Sequence, residues 1–469
     1  MMKSKVLTIL CFIFFVLNIN IYAENKYLTI KDAINIALQN NSRIQSTKKV
    51  LQGSCHVSNS AKGKFLPRVD IVAIGTKIDQ SINLNLNDIR TAMIGTSIAS
   101  YSGAGGSNPM QFQMSLEHLV PSFEKKMMDD TFVRVMASVV QPIFSGFKVS
   151  ANFSLKKLEE EVAKINLNAT ESSVITEVVE SYFRTKLLEQ VSQIQSDYLK
   201  NIQTHVLHAE KLLKNGIISK ANYSKAEVAL AEAKRDYERS LRDSELSYTL
   251  FNNVIGAISG TIYLSSDIKM LKNVKNEDYY ISKALQNNSS LKLLYTKRDM
   301  LKQKYKVSLG NMLPNIAAFG EYQILQDKLT LVEPKWAIGL SASLNVFSGC
   351  SDANEMKTTK LQMESVNFQI IDIKNLIRTG VKNFCHRCKS AQQDYQTLVS
   401  GQALAQENLK FYRIAFKSGV ATSLEVVDAE FGCKKIKIDK AKAIFEYNSS
   451  YANLINICGV SAEEFKNEL

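Results

Sequence analysis

Proline is scarce in this chain of 469 residues: it occurs at 67, 109, 121, 142, 314 and 334, with none between 143 and 313 or after 334. Proline breaks a helix interior, so those two long stretches are free to be helix while the proline-bearing segments are not. Long apolar runs are also missing. Past residue 23 nothing approaches the about 20 apolar residues of a membrane-spanning helix, which leaves a closed β-barrel as the one way to cross a bilayer. The formal charge of +13 is spread along the sequence without basic blocks or interleaved aromatics, which argues against a nucleic-acid partner. Five histidines, with no nucleophile elbow, phosphate loop or metal-ligand set, leave no enzyme and no cofactor to assign. Cys385-His386-Arg387-Cys388 has C-x-x-C spacing, but no second ligand pair accompanies it and its segment is expected to be helical, so no metal is assigned.

The N-terminus indicates a destination. Lys3 and Lys5 precede an apolar core from Val6 to about Ile19, and Ile21-Tyr22-Ala23 ends in a small residue, so 1–23 is expected to be a cleaved export signal. Export leaves a soluble periplasmic or secreted protein, a peripheral one, or an outer-membrane barrel.

The remainder of the chain repeats itself. Ala37-Leu38-Gln39-Asn40-Asn41-Ser42 returns 247 residues later as Ala284-Leu285-Gln286-Asn287-Asn288-Ser289, and Gly63, Leu66 and Pro67 return as Gly310, Leu313 and Pro314. Further along, Phe144-Ser145-Gly146 returns as Phe347-Ser348-Gly349, Gly216 as Gly419, Ala226-Glu227 as Ala429-Glu430 and Gly256 as Gly459, now 203 residues apart. The copies therefore differ by one insertion of about 44 residues between roughly 76 and 132. A period this long is not a solenoid unit; it implies two fused structural halves.

Each half contains a long helix and a returning one. Phe147 to Asn215 has neither glycine nor proline, and Cys350 to Ser418 has no proline, so each is expected to form a helix of ~100 Å. Leu155, Leu158, Val162, Ile165 and Ala169 step by three and four, as in a coiled-coil seam. The apolar row then doubles, at Val174-Ile175, Val178-Val179 and Tyr182-Phe183, which suits a helix with neighbours on two sides. Gly216 and Gly419 supply the C-caps, and Ser219 and Thr422 can cap the returning helices. The segments near 43–62 and 290–309 would stack end to end on those shorter returning helices. Trp336 to Phe347 alternates apolar residues with small or polar ones, and Val133, Val135, Ala137 and Val139 alternate with Arg134, Met136 and Ser138, as membrane strands do. Segments 68–77 and 315–325 alternate less cleanly.

The expected organisation is an export signal (1–23), a first repeat (24–256) and a linker or equatorial strap (257–280), followed by a second repeat (281–469). The first repeat carries strands near 68–77 and 132–143, a surface insertion at 76–132 and a hairpin at 147–255. The second carries strands near 315–325 and 336–347 and a hairpin at 350–458. The fold class is mainly α with a small membrane β-barrel: duplicated long helical hairpins and four strands per chain. Four strands cannot close a membrane barrel, so the chain has to oligomerise.

In the order of its motifs the chain resembles the TolC-like outer-membrane efflux and secretion channels. The likeness runs from Leu28-Thr29-Ile30-Lys31-Asp32-Ala33 through Leu66-Pro67 to Phe347-Ser348-Gly349 and the Gly419 turn, nearly the whole mature chain. It implies a homotrimer closing as an α/β-barrel tunnel, located in the outer membrane with its helices in the periplasm. The implied function is a passive exit duct of a tripartite efflux pump or type I secretion system. Its implied partners are outer-membrane lipid, a periplasmic adaptor and an inner-membrane transporter. Insertion 76–132 would be a long surface loop, matched in the second copy by a short one near 326–334. Glu425 and Asp428 fall where the family carries the acidic rings of its periplasmic gate, and Gly216, Ser219, Gly419 and Thr422 would form the adaptor-docking end. Acids early in a helix also complement its dipole, and such turns suit any helical hairpin, so both readings stay open. Where the family often has a polar restraint this chain has Phe416 and Asn222. The alternative from another class is a soluble periplasmic coiled-coil scaffold or adaptor, which should show one hairpin flanked by small β-domains.

Overall fold

The computed structural model describes residues 27–468 apart from 257–262, 266–268 and 327–333. The expected export signal, part of the linker and most of the short loop near 326–334 lie outside the described residues. The first repeat runs β1 (Tyr27–Leu28), α1 (Ile30–Asn40), α2 (Ser42–Gly63), β2 (Arg68–Lys77), β3 (Ile82–Asn85), α3 (Asn87–Gly103), α4 (Pro109–Leu119), β4 (Glu124–Met128), β5 (Thr131–Ser145), α5 (Lys148–Lys214) and α6 (Lys220–Ile255). The second runs β6 (Tyr263–Leu264), α7 (Glu277–Asn287), α8 (Ser289–Gly310), β7 (Asn315–Gln326), β8 (Trp336–Ser343), α9 (Ser351–Lys417), α10 (Ser423–Ile457) and α11 (Ala462–Glu468). The repeat extends to helix lengths: α5 and α9 have 67 residues each, and α2 and α8 have 22 each. No described helix is long and apolar enough to cross a membrane.

The chain divides into two compact units. One comprises residues up to 56, 157–301 and 361 onward. Its core is built where the doubled row of α5 is buried: Val174, Ile175, Val178 and Val179 have no exposure, and Phe251, Ile255, Val381, Tyr447 and Leu454 lie in the same cluster. At α1 a reciprocal cap forms, with Thr29 Oγ1 accepting from Asp32 N while the Asp32 carboxylate accepts from Thr29 N.

The repeated asparagines are joints. Asn41 ends α1, its Oδ1 accepts from Arg43 N at the start of α2, and its Nδ2 donates to Val254 O at the end of α6. Asn288 does the same in the second copy, accepting from Leu291 N and donating to Ile457 O. Gly256 and Gly459 end the returning helices at φ 70° and 63°, and a Cβ on Gly459 would lie 2.4 Å from Asn287 O. One side chain therefore satisfies orphan groups of two helix ends, while its own backbone N–H closes a third by donating to Ala37 O or Ala284 O.

The other unit comprises 57–156 and 302–360. Its antiparallel sheet has the order β2-β5-β7-β8. The two hairpins share one register: Arg68 faces Val140 and Asn315 faces Ser343, their repeat equivalents. Register gathers four of the five strand charges of the sheet on one face, with Lys77 at the end of β2 on the other. Arg68, Asp70, Arg134 and Glu321 share the first with Ser138 and Ser341, whereas Ile71, Val135, Tyr322, Ile338 and Leu340 share the second. Ile338 and Leu340 are 77% and 72% exposed, an apolar surface that suits lipid contact.

Two expectations are corrected here. The 76–132 insertion is not a loop. β3 and β4 pair antiparallel, and between them α3 and α4 pack through Tyr101 stacked on Phe112 at 4.2 Å. Arg90 donates to Val120 O and Glu117 O, closing the end of α4. Its glycine, serine and asparagine content concealed helices whose contacts are mostly with each other. The strand expected to reach 347 stops at Ser343, the last residue opposite β7, so residues 344–347 have no ladder partner. Its repeat counterpart β5 runs to Ser145 because β7 lies along it to that point.

Asn41→Ala and Asn288→Ala each leave a helix-end carbonyl without its donor and remove a cap, so each should cost about 1–3 kcal/mol. The check is the chemical-denaturation midpoint. An unchanged midpoint for both would remove the joints as stabilising elements.

Candidate gate and docking site

The two helical turns are built alike. Gly216 at φ 69° donates its N–H to Leu213 O while Ile217 N donates to Leu212 O, and Gly419 at φ 76° with Val420 repeats this toward Phe416 and Ala415. This is a Schellman closure, which needs the left-handed conformation that glycine adopts freely. The turns are neighbours: a Cβ on Gly419 would lie 3.2 Å from Ile217 Cγ2.

The returning helices begin differently. Ser219 accepts from Asn222 N, an ordinary cap. Thr422 and Glu425 form a reciprocal box: Glu425 Oε2 accepts from Thr422 N at 2.7 Å and from Thr422 Oγ1 at 2.8 Å, while Thr422 Oγ1 accepts from Glu425 N. The Thr422 backbone N–H, with the hydroxyl second, holds the Glu425 carboxyl below its ordinary range. Glu425 is thereby a helix-start residue. Asp428 lies one turn on, exposed, in an open groove between α6 and α10 that Lys225, Glu232 and Leu424 also line.

Beneath the turns, three ties join α5 and α6 to α9 and α10. His205 is 5% exposed, its Nε2 lies 2.8 Å from Ser423 Oγ, and its ring sits 4.6 Å from that of Phe416. Burial, with the positive His208 and Arg413 nearby, lowers its pKa to about 4. Glu430, 2% exposed, accepts from Arg413 Nε at 2.7 Å and from Asn201 Nδ2 at 3.1 Å. Lys434, 8% exposed, reaches Asp236 at 3.7 Å and lies over the Tyr198 ring, and burial lowers its pKa. Buried charges persist when they are paired in this way. Phe416 is thus the apolar partner of a polar contact, and Asn222 serves through its backbone.

Sequence reasoning had not singled out these ties. One signal was available: Arg413 stands at the repeat position of Glu210, a reversal of charge opposite the repeated glutamate of Ala226-Glu227 and Ala429-Glu430. Partner identities needed the packing of α5 on α10. The C-x-x-C pair is core. Cys388 donates weakly to Tyr447 O, and burial pushes its thiol up to about 12, a value at which thiols are inert.

Residues 33–248 match the family model of the outer membrane efflux protein. No curated protein matches the sequence. Among solved structures, the chain is similar to a membrane protein from Pseudomonas aeruginosa, with 11% identity, TM-score 0.74, and coverage of 92% of this chain and 90% of that one. The CmeC outer membrane channel of Campylobacter jejuni follows with 13%, 0.73, 94% and 89%. VceC, an outer membrane protein of Vibrio cholerae, follows with 13%, 0.71, 92% and 96%.

His205 makes the helical unit pH-sensitive. Its folded pKa of about 4 lies below the ordinary 6.5, so the unfolded chain takes the proton first. The contribution is constant above pH 6.5, is lost as pH falls toward about 4, and does not change further below that. The thermal midpoint should fall across this window and fall less in His205→Asn. Identical pH profiles would exclude His205. Separately, Thr422→Ala should cost about 1 kcal/mol of helix-start stability, read by amide exchange across 423–427.

Proposed function

We propose that this chain, of which residues 33–248 match the outer membrane efflux protein model, is an outer-membrane protein that assembles as a homotrimer and forms the passive exit duct of a tripartite pump or exporter. In this reading the strands cross the outer membrane and the helices line a passage through the periplasm. An inner-membrane transporter with its adaptor supplies the energy.

The observation that carries the reading is the open sheet. β2 and β8 are its edges, with no further strand beside them among the described residues, yet one face is largely apolar and the other gathers Arg68, Asp70, Arg134 and Glu321. Such a sheet is stable in lipid only if the edges pair with other copies. Repeat symmetry supports the same neighbours. A Cβ on Gly310 would lie 2.3 Å from Gly146 O, whereas their counterparts Gly63 and Gly349 have nothing within 4 Å. Ile165 is 6% exposed and its counterpart Phe368 is 73% exposed. Positions filled within the chain in one copy await a second chain in the other.

The turns at Gly216, Ser219, Gly419 and Thr422 would receive the adaptor. Asp428, with Glu425, would face the narrowed entrance, where three such pairs attract cations and repel one another. His205–Ser423, Glu430 with Arg413 and Asn201, and Lys434–Asp236 would hold the hairpins together until the adaptor engages.

Repeat symmetry also specifies the joint between copies. Ser138 faces Glu321 within the chain, so Ser341 should face Ile74 of the neighbouring copy. Ile74→Cys with Ser341→Cys should oxidise to a covalent trimer, and detergent-solubilised protein should have the mass of three chains. A monomer released without detergent would overturn the duct and favour a periplasmic scaffold. At the entrance, Asp428→Ala is the cleaner probe because Glu425 also caps a helix. It should raise conductance and weaken block by polyvalent cations; no change in either removes Asp428 from the gate.

A further inference from the structure

We propose that the contact of Phe319 with Gly339 sets the free width of the passage through the strands, because the glycine lets the ring lie along the wall instead of standing into the lumen. The inference rests on the channel reading above. Phe319 and Gly339 are direct partners in the β7–β8 register. A Cβ placed on Gly339 would lie 2.9 Å from Phe319 Cζ and 3.0 Å from Cε1, so the far end of the ring already fills the volume a side chain would need.

Register puts both residues on the face of Glu321, Ser138 and Ser341, the charged face that a barrel turns inward. The backbone itself does not require glycine at 339, which is not among the residues at positive φ. Glycine in a strand interior is otherwise unfavourable, and an aromatic ring laid over it is a recognised compensation. In the first hairpin the equivalent pair is Val72 opposite Met136, with no glycine. The aromatic therefore occurs once per chain, and any side chain at 339 would turn the ring out toward the path of the cargo.

The test is access from outside to a cysteine on the same face. Ser343→Cys, in a Cys350→Ser background that removes the exposed native thiol, is labelled in membrane-inserted protein by one small and one bulky thiol reagent. Gly339→Ala should slow the bulky reagent while sparing the small one, and adding Phe319→Ala should restore the rate. Phe319→Ala alone, which demands no new space, should speed the bulky reagent. Failure of even the small reagent to reach Ser343→Cys in the otherwise native chain would overturn the channel reading itself. Normal labelling by the small reagent, with bulky-reagent rates unchanged by Gly339→Ala and by Phe319→Ala, would overturn the contact alone.

Discussion

A strand entering hydrocarbon must pair every backbone N–H and C=O, because each orphan there costs several kcal/mol. That requirement orders the strand unit. Among the described residues, β5 and β7 have neighbours on both sides; β2 and β8 have one each. Strand length follows the number of neighbours: β5 extends to Ser145 where β7 supports it, and β8, with equivalent sequence, stops at Ser343. On the proposed channel reading, the open edges are where further copies of the chain would pair.

The helical unit obeys the same logic in side chains. Duplication made α5 and α9 equal in length, but their surroundings differ. The doubled apolar row of α5 is buried on two sides, while α9 leaves Phe368, Ile371 and Leu404 exposed. The asparagine joints at Asn41 and Asn288 remain equivalent because the side chain of each hydrogen-bonds within its own repeat. Local chemistry kept the symmetry of the duplication, and contacts between repeats lost it.

Loss of symmetry is most informative near the turns. Gly216 and Gly419 close their helices in the same way, yet of the two returning helices only α10 begins with a reciprocal cap and carries the buried Glu430 with its Arg413. Replacing the glutamate at 210 by an arginine at 413 converts a repeated acid into half of a buried pair. Glu425 has two duties open to it. The hydrogen bonds to Thr422 account for its position in the chain, and Asp428 is the acid left free of capping.

The amino-acid sequence determined the elements. Helix lengths follow from the distribution of proline and glycine, the turns from Gly216 and Gly419, and the pairing of halves from repeated Ala-Leu-Gln-Asn-Asn. These are local properties, governed by residues within a few positions of each other. Tertiary structure decided what depends on neighbours distant in sequence: the helices within the 76–132 insertion, the register that gathers Arg68, Asp70, Arg134 and Glu321 on one face, and the burial of His205 against Ser423. Phe319 over Gly339 belongs there too. Neither residue is unusual in its own strand, and their meaning arises because backbone pairing sets them opposite each other.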